Sequence, residues 1–240
     1  MTNKKKYIIL TIFTASMIAI VSSITAFFTE TEYRANSITV GEVKIEIKED
    51  YTEQVVYPNE SVEKNPSVKN VGKNEAYVFI EVDIPKAEVT LLDDDGQLLN
   101  ATTPKSVQEL FQMIAEKSGT ETDANIKKVI NNDSFSYHDK WVLLSDKTIS
   151  TQKDYNTYVF AYSEPLKRNN TTSVLFDKVQ LKKFIDSEAS AQNKENPVVK
   201  IDVRACAIQS DNLEGMTHTS EQNGFYSELY DIVKKRQKNA

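Results

Sequence analysis

The residues best suited to chemistry in this 240-residue chain are two histidines and one cysteine, and their spacing argues against catalysis. His138 and His218 are far apart, and neither belongs to His-Glu-x-x-His or to another zinc-binding spacing. Cys206 lies in an alternating apolar stretch with no histidine near it in sequence, a setting that suits a small core residue better than a nucleophile. Being single, it closes no intramolecular disulfide. The chain contains no Gly-x-Ser-x-Gly elbow, no phosphate-binding glycine loop and no dinucleotide fingerprint, and only six glycines in all. Asp93-Asp94-Asp95-Gly96 is the one run resembling a calcium loop. Setting Gly96 at the sixth position of such a loop places Leu91 first and Thr102 twelfth, where carboxylates are required. A solvated, hairpin-like turn accounts for it better. The sequence therefore predicts no catalytic residue, no metal site, no cofactor and no enzyme.

Charge narrows the function further. Lys4, Lys5 and Lys6 precede an apolar run from Tyr7 to about Val21, and small or hydroxylated residues follow at Ser22, Ser23, Thr25 and Ala26. Positive, then apolar, then small is the anatomy of a secretory signal. Residues 1–25 are read as that signal, with cleavage expected around Thr25, Ala26 and Phe27; left uncleaved, the segment is long enough to serve as a membrane anchor. Its removal takes three lysines and no acid, so the formal net charge moves from −6 to −9. An acidic chain with no basic cluster ahead of its C-terminus offers no electrostatic footprint for nucleic acid and little attraction to anionic lipid. Membrane contact is expected only through the N-terminal segment before cleavage.

The elements that follow are mostly strands. Ile38 and Val40 alternate, the phase slips at Gly41-Glu42 in the manner of a β-bulge, and Val43, Ile45 and Ile47 resume it. Ala76, Val78, Ile80, Val82 and Ile84 form an inward stripe with Glu81 and Asp83 on the opposite side, and Pro85, having no N–H, is expected to end that ladder. Val199, Ile201, Val203, Ala205 and Ala207 repeat the pattern. Asn70–Asn74 reads as a loop joining a Val62–Val68 strand to its neighbour. Trp141–Leu144 and Tyr155–Tyr162 read as a strand pair, and Lys167–Asn170 as a turn into Thr172–Leu181.

Two stretches look helical. Thr103-Pro104 resembles a cap followed by a first-turn proline, with Val107, Leu110, Phe111 and Ile114 at helical spacing and Gly119 beyond. A second short helix is predicted after Asp123, with Ile126, Val129 and Ile130 on one face. The chain end, from Phe225 through Leu229, Ile232 and Val233 to Lys238, reads as an amphipathic helix with a basic last turn. The expected architecture is mainly β: a jelly-roll-like sandwich over 26–212, a helical insertion at about 103–132, and a C-terminal tail over 213–240 carrying a helix.

Particular residues also match a known family. Ala26-Phe27-Phe28-Thr29-Glu30-Thr31-Glu32 and Ala35-Asn36-Ser37-Ile38-Thr39-Val40-Gly41 resemble the start of the TasA/camelysin family of secreted Gram-positive proteins. Asn65–Gly72 with Ala76–Ile80, Leu175–Val179, and Ala205–Ser210 resemble later strands of the family in the same order. The family more often has tyrosine where Cys206 stands. The resemblance implies a jelly-roll-like domain, processing by a SipW-type signal peptidase, and a role at the cell surface or in a biofilm matrix, in several cases as a fibre subunit. It also carries a metallopeptidase label, for which this sequence has no recognisable zinc site.

These readings combine into an exported cell-surface or matrix structural protein whose partners are the signal peptidase and then another copy or another matrix protein. The candidate assembly strand is Ile38, Val40, Val43, Ile45 and Ile47, which would complete the sheet edge of a neighbour. The alternatives are a secreted camelysin-like metallopeptidase and a monomeric surface adhesin or accessory protein.

Overall fold

The computed structural model describes residues 43–49, 56–93, 95–98, 106–117, 123–129, 135–149, 152, 154–185, 201–211, 213 and 222–238. All of them belong to one compact unit that begins at Val43. The fold is mainly β, with one helix at the C-terminal end. No helix among the described residues is long and apolar enough to cross a membrane.

The organising element is β4, Ala76–Leu91, a sixteen-residue strand. Its alternation holds through Ile84 and shifts phase at Pro85, after which Ala87, Val89 and Leu91 pack on the main core. Val78, Ile80, Val82 and Ile84 face that core, while Tyr77 and Phe79 face a second on the opposite side of the sheet. Antiparallel partners flank its first half: β10, Tyr155–Tyr162, pairs Val82 with Tyr158, and β13, Asp202–Gln209, pairs Val82 with Val203. β9, Trp141–Leu143, extends the sheet beyond β10, as the sequence predicts. Pro85 does not end the strand; it marks a change of partner. Pairing with β10 reaches Pro85, and from Lys86 onward β4 pairs with β5, Ser106–Glu109, and then with β12, Phe184–Ile185. The Pro85 carbonyl still accepts from Leu110 N, at 2.9 Å, so only the missing donor interrupts the ladder.

Shorter strands make the facing layer. β2, Ser61–Glu63, and β6, Phe111–Ile114, flank β11, Lys178–Leu181. β7, Ile126–Val129, pairs with β8, Phe135–His138, and β1, Ile45–Lys48, pairs with β3, Ser67–Asn70. The expected Val62–Val68 strand is therefore two strands in different sheets, separated at Pro66, and β3 pairs with β1 rather than with β4. Thr172–Asp177 precedes β11 as extended loop, with Leu175 N bonded to Pro66 O and Leu175 O to His138 N, both at 2.9 Å. Asn169 carries φ 64° at the predicted Lys167–Asn170 turn, a conformation asparagine tolerates well. The main core lies between the two layers and is rich in aromatics, with Phe135, Tyr137, Trp141, Tyr158, Phe160 and Phe176 all buried.

The described residues of the stretch 103–132, where a helical insertion is expected, form strands instead. Ser106–Glu109, Phe111–Ile114 and Ile126–Val129 are strands, and the only helical geometry among the described residues of that stretch is a single 3-10 turn at Asp123–Asn125. Val107, supposed to sit on the buried helical face, is 59% exposed, whereas Phe111 and Met113 are buried on a period of two. Leu110, buried at the bend between β5 and β6, produces the three- and four-residue spacing that imitates a helix.

The C-terminal helix α1, Gln222–Lys238, is present and lies on the outer face of the six-stranded sheet. Phe225, Tyr226, Leu229, Tyr230 and Val233 recur at helical spacing and bury against Tyr77, Phe79, Val159, Ala161, Cys206 and Ile208. Tyr77 meets Phe225 edge-on at 5.4 Å between ring centroids, and Phe79 meets Tyr230 at 5.6 Å. Burying each such side chain contributes roughly 1.5–3 kcal/mol. Lys235, Arg236 and Lys238 occupy the last turn, where the helix dipole favours cations.

Candidate functional site

Thr25, Ala26, Phe27, Ile38 and Val40 lie outside the described residues, as do Gly41, Glu42, Thr103, Pro104, Gly119 and Ile130. The rest of the candidate assembly strand is present. Val43 and Ile45 are half-buried, and Ile47 is among the exposed large apolar residues. Ile45 packs against the main core.

β1 pairs with β3 along one edge only among the described residues: Ile45 with Asn70, Ile47 with Val68. Lys44 O accepts from both Val71 N and Gly72 N at 2.9 Å. Backbone polar groups alternate sides along an antiparallel strand, so those of Glu46 and Lys48 turn toward β3 and those of Ile45 and Ile47 turn outward. Charge decorates that edge through Glu46 and Lys48, which pair at 3.0 Å in solvent; such exposed pairs add little stability but do discourage promiscuous strand addition. The strand's end is tied down by Glu49, whose carboxylate meets the buried Lys64 ammonium at 2.6 Å.

β13 has the same one-sided character. Its inner edge pairs with β4 throughout, from Asp202–Asp83 to Gln209–Ala76, and Ser210 N continues the ladder to Glu75 O at 2.9 Å. By alternation the backbone groups of Val203, Ala205, Ala207 and Gln209 turn to the outer side, where no described strand pairs. β1 approaches β13 to within 8 Å between Cα atoms without pairing with it. Two strand edges without a described pairing partner therefore lie near each other.

A polar cluster that sequence reasoning missed sits under α1. Glu81 and Asp83 lie on the side of β4 opposite the main core, as their alternation predicts, but they are buried rather than solvated, at 5% and 6% exposure. Arg204, directly across the ladder from Glu81, donates to both carboxylates: to Glu81 Oε2 through Nε and Nη2 at 3.2 and 3.1 Å, and to Asp83 through Nη1 and Nη2. Thr157 Oγ1 donates to Asp83 Oδ1 at 2.6 Å. From α1, Tyr230 OH and Lys234 Nζ donate to Glu81 Oε1 at 3.0 and 2.7 Å. Burial alone would raise the Glu81 carboxyl; Lys234, Tyr230 and Arg204 together outweigh it and hold Glu81 below the usual carboxylate range. Burial pushes the Cys206 thiol up to about 12, helped by the charge on Glu81. Cys206 is therefore a protonated core residue of the α1 interface.

His138 is buried and its Nε2 lies 2.8 Å from Asp177 Oδ2, which also accepts from Glu116 N at 2.6 Å. His218 lies outside the described residues. Among the described residues no three His, Cys, Asp or Glu side chains come together as a metal cage. At Asp93 the carboxylate Oδ1 accepts from Asp95 N and Gln97 N at 3.0 and 2.8 Å, and Gly96 adopts φ +76°. That side chain closes a tight turn bridged by Leu92 and Leu98.

Comparison of the chain with protein-family models, with curated proteins and with solved structures found no match.

Proposed function

We propose that this chain is an exported structural protein of the cell surface or extracellular matrix, and that it assembles by adding an extended segment of one copy to the open sheet edge of the next. The observation that carries the reading is the flank where β13 and β1 each leave one edge without a described partner. The half of the candidate strand at Ile45 and Ile47 already pairs with β3 in its own chain. The donor is accordingly the stretch ahead of it, containing Ile38 and Val40, which signal removal would place near a new N-terminus. Main-chain hydrogen bonds supply the affinity of such a contact and alternating side chains its register. The acidic composition, the signal-like N-terminal segment and the resemblance to TasA/camelysin proteins support the same reading.

The test uses mature protein beginning near Ala26, followed by light scattering and electron microscopy. Assembly by the mature chain, and its loss when residues 26–41 are removed, is the expected result. Ala205→Pro provides an independent arm, because the Ala205 N–H points away from β4 and its loss leaves the inner ladder whole. A mature chain that stays monomeric at all concentrations, or an Ala205→Pro protein that assembles normally, would overturn the β13-edge mechanism.

A further inference from the structure

We propose that α1 is an acid-released strap: it closes the outer face of the six-stranded sheet through carboxylates that grip it only while ionised, and it lifts as a unit before the sandwich unfolds. This goes beyond the assembly reading and does not depend on it.

The helix is held by apolar contacts and by a few polar ties, most of which end on a carboxylate. Lys234 and Tyr230 both reach Glu81 Oε1. Ser227 Oγ donates to Asp146 Oδ1 at 2.6 Å, and Lys147 Nζ donates to Asp231 Oδ2 at 2.7 Å. Tyr226 OH, bonded to Ser163 O at 2.6 Å, ties the helix to a group that does not titrate. Among the described residues Glu81 is faced by Lys234 and Tyr230 from α1, Arg204 and Cys206 from β13, Asp83 from its own strand, and the uncharged Val159 opposite it on β10. Asp146 faces Ser227 and its neighbour Lys147.

The direction of the response follows from linkage. Glu81 and Asp146 are both held below the ordinary carboxylate range with the helix in place; for each, burial raises the group and the helix and nearby cations more than offset it. Lifting α1 removes Lys234 and Tyr230 from Glu81 and Ser227 from Asp146. Arg204 stays on Glu81 and Lys147 beside Asp146 in the open state, so each carboxyl loses only the donors of α1; protonation, which removes the carboxylate's grip on those donors, favours opening. Opening is therefore favoured as pH falls below about 4, at about tenfold per pH unit for each carboxyl taking up a proton. Lys147, raised chiefly by Asp231, remains charged throughout that range and adds no slope. The sandwich core is separate from the strap interface: its residues form a distinct cluster on the other face of the sheet. That separation is what permits local opening.

The molecule carries its own pair of reporters. Its single cysteine, Cys206, lies beneath α1, and its single tryptophan, Trp141, lies in the sandwich core at 1% exposure. The experiment treats the full-length protein with 4,4′-dithiodipyridine, which reacts with thiols in acid, from pH 7 to pH 3. Each rate is divided by that of the urea-unfolded chain at the same pH, and Trp141 emission is read on the same samples. The expected result is a normalised rate that climbs about tenfold per pH unit below about pH 4 where one carboxyl takes up a proton, and more steeply where both do, while Trp141 emission stays native. Lys234→Met should raise the rate at pH 7 by about tenfold or more, and Glu81→Gln should reduce the pH slope to the part that Asp146 carries. Thiol reactivity that appears only together with the Trp141 change would overturn the proposal, since the helix would then be part of one cooperative body. A pH-independent rate would overturn it equally. Should either variant unfold, Trp141 reports it, and the wild-type pH series decides alone.

Discussion

Arg204 concentrates the electrostatics of this protein on one guanidinium, which serves two buried carboxylates from the neighbouring strand while half of it remains in water. Removing it strands Glu81 and Asp83 without their shared cation. Arg204→Met should cost about 2–3 kcal/mol, somewhat less than a fully buried pair because solvent already screens part of the charge. The urea midpoint should fall with an unchanged m-value. The sequence shows half of this site. Alternation puts Glu81 and Asp83 on the side opposite the core stripe, and that much is right. Their burial depends on a strand more than a hundred residues later and on a helix later still, and no local pattern reveals which cation a distant register places opposite a given acid. Cys206 is buried, as a lone cysteine in an apolar stretch suggests, but on the face of β13 opposite the Val203, Ala205 and Ala207 stripe, where its cover also comes from α1.

At the scale of elements, long stripes were readable and short ones were not. β4, β10, β13 and α1 each carry enough repeats to fix their period. β5 and β6 have four residues apiece, separated by the single residue Leu110, so two short period-two runs with a bend between them present the spacing of one helix. Two substitutions distinguish these architectures. Val107 is exposed on β5, so Val107→Lys should change stability by no more than about 0.5 kcal/mol. Met113 is 1% exposed, so Met113→Ala should cost about 2–5 kcal/mol in chemical denaturation. A helix with Val107 on its buried face would make the first substitution severe. Removal of α1 by ending the chain at Leu213 should uncover Tyr77, Phe79 and Ile208. An increase in binding of a hydrophobic dye, with strand content retained by circular dichroism, is the expected outcome.

For the whole molecule, charge and pH act together. Glu81 and Asp146 have depressed values in the folded protein, so the stability they contribute is complete above the ordinary carboxylate range of about 4 and is lost as pH falls through their folded values. The melting temperature should be flat from pH 7 to about 5 and decline below about 4. If the proposed assembly takes place, copies carrying the −9 of residues 26–240 repel one another. Its rate, followed by light scattering, should rise between low and physiological salt as screening sets in.

The pairing of β4 with β13 also decides when the protein can finish folding. Ala76 waits for Gln209, and Asp83 for Asp202, so the central strand has one side unsatisfied until almost the entire polypeptide is available. Closing so large a loop is entropically slow, and sheets built on distant contacts fold on the millisecond-to-second scale. A chain threaded across a membrane from its N-terminus would emerge with β4 early and β13 as the last described strand. Its longest apolar strand would spend the whole of translocation bare on that side, the interval in which a nascent sheet is most open to the wrong neighbour.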